Sequence, residues 1–388
     1  MSKQIEGVEP SVLRWARATA GLSLEEVAKK LKRDATEIHE WERGSSAPTY
    51  AQLEKLAYEV YKRPLALFFF PAPPEENPDS VDFRTLPAQE LESLNSDTRY
   101  HVRLAKSLQL SLMELHEGRN PSENPIFKVL KIELKSDVEQ AASRIREELG
   151  ISLSDQINFK DPEDALKKWR SAIEGSGVYI FKNSLDQKRV SGFSLQHEEF
   201  PIIYVNNSTA KNRQIFTLFH ELCHILLGDN GILFDGKLEF GNYSTAQKRM
   251  EIFCNRVAAE VLFPKSEFKK TLQNNSKSLD LRIREAALTY KVSREVILRR
   301  FLDEKVIDEE TYEAHIIKWA NAPDPKNAGS GGNYYATNAS YLGENYIKLV
   351  LSKHYIGQLS LGQVADYLGV KTKSVSGLES MVMKGMRG

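Results

Sequence analysis

The chain has 388 residues, 41% hydrophobic and 27% charged, which excludes a disordered polypeptide and predicts two or three soluble folded domains. Lys plus Arg and Asp plus Glu each total 53, so there is no global charge to draw the protein onto nucleic acid or an anionic membrane, and any such binding must come from a local patch. Two cysteines, Cys223 and Cys254, and an N-terminus without an apolar h-region predict a cytoplasmic, reducing location rather than a disulfide framework.

Residues 8–62 read as a run of short helices. Pro10 and Ser11 open the first; Leu13, Ala16 and Ala20 give it an apolar stripe, and Gly21 closes it. Ser23 caps the next, SLEEVAKKL, with Glu26 three residues on as a capping box. A third, ATEIHEWERG, ends at Gly44, and a fourth, YAQLEKLAYEV, follows Pro48 and Thr49. This is a helix-turn-helix cadence. The apolar run Leu65–Pro71 is far too short to span a bilayer.

PAPPEENPDS (71–80) reads as a linker and residues 88–117 as a long amphipathic helix. Residues 126–210 alternate strand-like stretches (IFKVLKIEL, GVYIFKN, FPIIYVNN) with helices (DVEQAASRIREEL, PEDALKKWRSAI), an α+β pattern. From Thr209 to Leu302 the chain is mostly helical. NAPDPKNAGSGGN (321–333) is a second linker by composition, and a small helical domain follows it. GSGGNYYATNASY (329–341) carries loop glycines and, after them, tyrosines that are candidates to contact a partner.

The sharpest motif is His220-Glu221-Leu222-Cys223-His224, between the apolar stretches IFTLF and ILLG. Residues four apart share a helix face, so two imidazoles can converge on one ion. Glu221 is offset by one residue, where it reaches a water held by the ion and acts as general base on it. A catalytic zinc takes three protein ligands and keeps one open position. The third is sought on STAQKRMEIFCNRVAAEVLFP, where Met250, Cys254, Val257, Ala258 and Val261 form the buried stripe. Glu251 borders that stripe and is the expected ligand; Glu260 and Asp229 are weaker candidates. Asn255, one turn on, is placed to hydrogen-bond a ligand histidine or the Glu251 carboxylate. Cys223 turns away from the metal side and Cys254 falls in the stripe, so both read as small core residues.

FTLFHELCHILLG followed by EIFCNRVAAEVLFP resembles the ImmA/IrrE family of metallopeptidases, whose motifs run HELGH and then E-x-x-A-N-x-F-A-x-x-L-L-M-P. VSGFSL and FPIIYVNN resemble the family's lead-in, and the match covers roughly residues 175–305. Cys223 stands where glycine is usual, Cys254 for alanine and Val257 for phenylalanine; none of these removes a chemical group. The resemblance implies His220, His224 and Glu251 as Zn2+ ligands, Glu221 as catalytic acid/base, and a substrate that is a regulatory protein, often a helix-turn-helix repressor or antitoxin, cut after stress or phage signals.

ATAGLSLEEVAKKLKRDATEIHEWERGSSAPTYAQLEKLA resembles the Xre/Cro-type helix-turn-helix, with Ala28, Leu31, Ile38, Trp41 and Leu53 as core. Its groove-reading helix would present Asp34, Thr36, Glu37, His39, Glu40 and Arg43 to DNA or to a partner protein. Carboxylates repel phosphates, and residues 1–70 hold eleven basic against ten acidic side chains, so operator binding and protein docking both stay open. Two later segments, 283–307 and 359–382, echo the same rhythm, and the second lies in a basic tail.

The expected architecture is multidomain and mostly α. It comprises an all-α helix-turn-helix domain (1–70), a linker and long helix (71–125), an α+β zincin-like metallopeptidase core (126–320), and a linker with a small basic helical domain (321–388). The expected function is zinc-dependent cleavage of a specific bacterial repressor or antitoxin encoded nearby, with the substrate extended along Val190–Leu195 or Pro201–Asn206. A DNA-binding regulator or antitoxin that uses the peptidase fold as a scaffold is the alternative, and a zinc-stabilised adaptor a third. DNA through the helix-turn-helix modules and a second copy of the chain are further partners to consider; a membrane is not expected.

Overall fold

The computed structural model describes residues 4–74, 94–187, 189–228, 232–234, 245–273, 277–320 and 333–384. Most of the predicted linkers 71–80 and 321–333, the start of the helix expected over 88–117, and Asp229 lie outside them. Among the described residues no helix is long and apolar enough to cross a membrane. The chain divides into two compact units, Met1–Ser107 with Leu185–Gln187, and Leu108–Ser184 with Lys188–Gly388.

In the first unit, α1 (Pro10–Thr19), α2 (Leu24–Leu31), α3 (Ala35–Arg43) and α4 (Tyr50–Lys55) begin where the sequence placed its caps. Ser23 with Glu26, and Thr49 with Gln52, form reciprocal capping boxes, each satisfying two backbone N–H groups. Gly44 closes α3 with φ 74, a conformation glycine adopts without steric cost. α4 runs on into a π-helical turn, Leu56–Tyr61. Ala28, Leu31, Ile38, Trp41 and Leu53 are all buried in one core with Val12, Leu13 and Phe68. Buried Glu42 is held by Arg17 through two bonds of 2.6 and 2.9 Å, a bidentate pair tying α3 to α1. The long helix α5 (Ser96–Leu115) carries the boundary between the units within it.

The second unit contains a four-stranded sheet of order β1-β3-β2-β4, made of β1 (Tyr179–Asn183), β2 (Val190–Leu195), β3 (Ile202–Asn206) and β4 (Ile232–Phe234). β1 is parallel to β3, and β2 is antiparallel to both β3 and β4. Every residue of β3 is buried, so both faces of the sheet are covered. Around it lie α6 (Ile126–Val129), α7 (Val138–Glu148), α8 (Leu153–Ile157), α9 (Pro162–Gly175), α10 (Lys211–Leu227), α11 (Thr245–Leu262), α12 (Lys265–Leu272), α13 (Leu279–Tyr290), α14 (Arg294–Asp303) and α15 (Glu309–Ala320). Gln109 of α5 donates to the carbonyls of Leu195, Gln196 and Phe200, at 2.8 Å for the last.

The C-terminal helices are α16 (Tyr334–Leu342), α17 (Glu344–Tyr355), α18 (Leu361–Tyr367) and α19 (Val375–Lys384). Arg170 of α9 donates to the Ser340 carbonyl at 2.6 Å, and Tyr346 meets Phe181 of β1 edge-on at 5.3 Å.

Two expectations are corrected. IFKVLKIEL is not a strand: Pro125 starts the one-turn helix α6, and Ile126 and Leu130 are buried one turn apart, a spacing that fits a helix as well as an alternation. Residues 334–341 lie in α16, which Asn333 caps by accepting from the Tyr335 and Ala336 amides. β3 offers no free edge to a substrate, since it lies between β1 and β2, and β4 covers the other side of β2 from Val190 to Phe193.

Candidate metal centre

α10 is apolar nearly all round and buried from Gln214 to Leu226 apart from Phe216, the signature of a central helix. It has no side-chain N-cap, and Gly228, at φ 78, ends it. On this helix His220, Glu221 and His224 are fully buried, and α11 packs alongside to supply Glu251, 4% exposed. The three donors converge. His220 Nε2 and His224 Nε2 are 3.1 Å apart; Glu251 Oε2 lies 3.3 Å from the first and Oε1 3.2 Å from the second.

Tetrahedral zinc with bonds of about 2.0–2.1 Å separates its ligand atoms by about 3.3 Å, and the three spacings match that edge. The donor chemistry fits as well. Among the described residues no hydrogen bond satisfies Glu251 Oε2 or Glu221 Oε1, although both are buried. Two imidazole nitrogens facing each other at 3.1 Å, with a carboxylate beside both, form a set that a cation completes. Burial alone would raise the Glu251 pKa, but His224 and His220 beside it overcome that and hold it below the usual carboxylate range. Burial would lower His224; the Glu251 charge and hydrogen bond outweigh it and raise it to about 10. Such a carboxylate stays ionised and ready to ligate.

Residues 173–302 match the IrrE N-terminal-like domain of the peptidase M78 family. Residues 11–64 match a helix-turn-helix domain, so the chain joins such a domain to an IrrE-like peptidase domain. No curated protein matches the chain. His220, Glu221, His224, Glu251 and Asn255 all fall inside the IrrE-like domain, and its family is one of metallopeptidases.

Within the IrrE-like domain the neighbours of the donors are specific. Asn255 Oδ1 lies 3.0 Å from His220 Nδ1; that nitrogen donates to it, which leaves the Nε2 lone pair for an ion. The Ser194 hydroxyl donates to Glu221 Oε2 at 2.8 Å, and Gln196 Nε2 donates to the carbonyls of His224 and Ile225, both at 3.1 Å. Burial raises the Glu221 pKa, with the two histidines and Ser194 pulling it down, and the net shift is upward.

Ser194 and Gln196 escaped the sequence reading. Their signal is the two-residue strand alternation from Gly192, which turns 192, 194 and 196 towards α10. A Cβ at Gly192 would lie 2.5 Å from Thr217 Cγ2 and 2.8 Å from the Tyr204 carbonyl oxygen, so only glycine lets β2 lie this close to the helix.

The remaining candidates stand apart from the cluster. Glu260 is taken up by Arg300 Nη2 at 2.5 Å and the Lys265 amide at 2.8 Å. Cys223 and Cys254 are buried free thiols, and burial together with Cys223 raises the Cys254 pKa. Thr36, His39, Glu40 and Arg43 are exposed on α3 in the first unit. Glu37 is half-buried there and accepts from Gln52 Nε2 at 3.4 Å.

Proposed function

We propose that the chain is a zinc-dependent endopeptidase that cuts one regulatory protein, a repressor or antitoxin, in a stress, phage or toxin–antitoxin response. The observation that carries this reading is the buried carboxylate of Glu221, set beside three convergent metal donors with one oxygen anchored and the other without a hydrogen bond. A pure scaffold has no use for such a group, because burying an unsatisfied carboxylate costs stability.

Zinc held by His220, His224 and Glu251 supplies Lewis acidity when bound. Glu221 does the proton work. Ser194 fixes Oε2, so Oε1 is the atom that takes a proton from the attacking water and passes it to the leaving amine nitrogen. The histidines are held by α10, and His220 is turned by Asn255. An extended substrate adds along β4, because β3 is paired on both sides, β4 covers β2 from Val190 to Phe193, and α16 packs against β1.

The test mixes the purified protein and zinc with the products of neighbouring genes and reads cleavage by mass. Glu221→Gln keeps fold and metal but loses about 10²–10⁴-fold in rate, since an amide cannot accept the proton. Parental cleavage by this variant would remove Glu221 from the mechanism.

A further inference from the structure

The helix-turn-helix plan recurs in this chain, and its copies differ in what they expose. α2 and α3 flank the turn at Lys32; α18 and α19 flank Gly369. The two copies match at one constant offset along the chain. Ser23 and Ser360 each close a capping box, on Glu26 and Gln363. Val27, Ala28, Leu31, Ile38 and Trp41 form the buried set of the first copy; Val364, Ala365, Leu368, Val375 and Leu378 form that of the last. Lys32 and Gly369 both take left-handed backbone at the turn, with φ 56 and 60.

A cap pair, a turn residue and five core positions in one register make the C-terminal segment a second copy of the motif. A further copy, α13 and α14 around Lys291, buries Leu298 on the outward side of its second helix and so has no open reading face.

In this motif the start and outer face of the second helix meet the major groove. The first copy offers Asp34, Thr36, His39, Glu40 and Arg43 there, two of them carboxylates, with Asp34 accepting from the Thr36 amide as the helix cap. The last offers Lys371, Thr372, Lys373, Ser376 and Ser380, none of them buried and none acidic. Lysine binds phosphate or guanine, and serine and threonine reach either kind of base edge. From Asn345 onward the chain holds six Lys and Arg against two acids. One of those acids, Glu379, is engaged by the Tyr355 hydroxyl. α16 covers part of that face: Tyr335 lies so near Gly377, the counterpart of Glu40, that a Cβ there would be 2.3 Å from its ring, while Lys371, Lys373, Ser376 and Ser380 beside it stay exposed. The open side is the one that carries the lysines and serines.

We propose that the C-terminal helix-turn-helix, rather than the N-terminal one, is the duplex-DNA contact of this protein, with the start of α19 in the major groove. The assignment does not depend on peptidase activity.

The experiment uses the full chain and a labelled duplex carrying the DNA upstream of its own coding sequence, titrated at several salt concentrations. The parent binds at low salt. K371E/K373E binds roughly tenfold more weakly or worse, with a log–log salt slope shallower by about 2, because two phosphates are no longer neutralised. K131E/K135E, the same charge change at exposed lysines elsewhere, binds as the parent does. An unchanged melting temperature shows that each variant is folded. The proposal is overturned if the parent binds no duplex at low salt, if K371E/K373E retains parental affinity, or if K131E/K135E weakens binding as much.

Discussion

His224 and Glu251 are buried side chains whose charges are tolerable only together, and each is aimed where a cation would sit. Replacing His224 by Ala removes one donor of three and should strip most bound zinc; full occupancy by elemental analysis would refute the ligand set. Ser194→Ala should keep the metal but loosen Glu221, lowering kcat more than it raises KM. Away from the site, Lys182 is 5% exposed on β1, with its Nζ 3.3 Å from Gln214 Oε1. Burial, then Arg170 and Lys211, push its pKa down to about 7. The unfolded chain holds this proton up to about pH 10.4. Between pH 7 and 10 the unfolded state therefore binds more protons, and stability from this site rises with pH through that window and is lost as pH falls to 7. Lys182→Met should raise the melting temperature most near pH 7 and flatten its rise towards pH 10; an unchanged profile would show that the lysine carries no such penalty. The HExxH pair was legible because helical geometry alone joins residues four apart. Glu251 could be read from the stripe it borders. Ser194 could not, since its partner depends on which strand covers the helix.

The second helix was legible because a cap marks it. Ser23 with Glu26 is a local device that needs no knowledge of the fold, and Thr49 with Gln52 and Ser360 with Gln363 repeat it. Strand pairing is not local. The stretches over β1, β2 and β3 could be seen, but their order and the short strand β4 could not, so an interior strand was taken for an edge. The contact between β2 and α10 fixes the site and can be tested at Gly192. Its φ is not positive, so the demand is for space alone. Gly192→Ala brings a methyl within 2.8 Å of the Tyr204 carbonyl oxygen, a backbone atom that cannot rotate away. We expect a loss of about 1–3 kcal/mol, read by denaturant unfolding, together with slower cleavage as Ser194 is displaced. Parental stability would mean that strand and helix leave room for a methyl group between them.

At the scale of the molecule, the two family matches fall on two separate hydrophobic cores. Val12 to Phe68 close on one another in the first, while the second gathers residues of β1, β3, α10 and α11, the two helices that carry the metal donors. Removing residues 1–70 therefore takes away a self-contained core and no part of the metal cluster. What it does take away is the surface of α3, where Asp34, Glu37 and Glu40 make contact with phosphate unfavourable and contact with a basic or polar protein surface favourable. The truncated protein should keep about one zinc per chain and still hydrolyse a short peptide spanning the cleavage site, yet cut the intact regulatory protein much more slowly through a higher KM. Equal cleavage of the intact substrate by both forms would show that the N-terminal domain plays no part in selecting it; loss of zinc would show that the two cores are energetically coupled. A KM effect without a zinc effect assigns the first domain to choosing the protein and the second to cutting it.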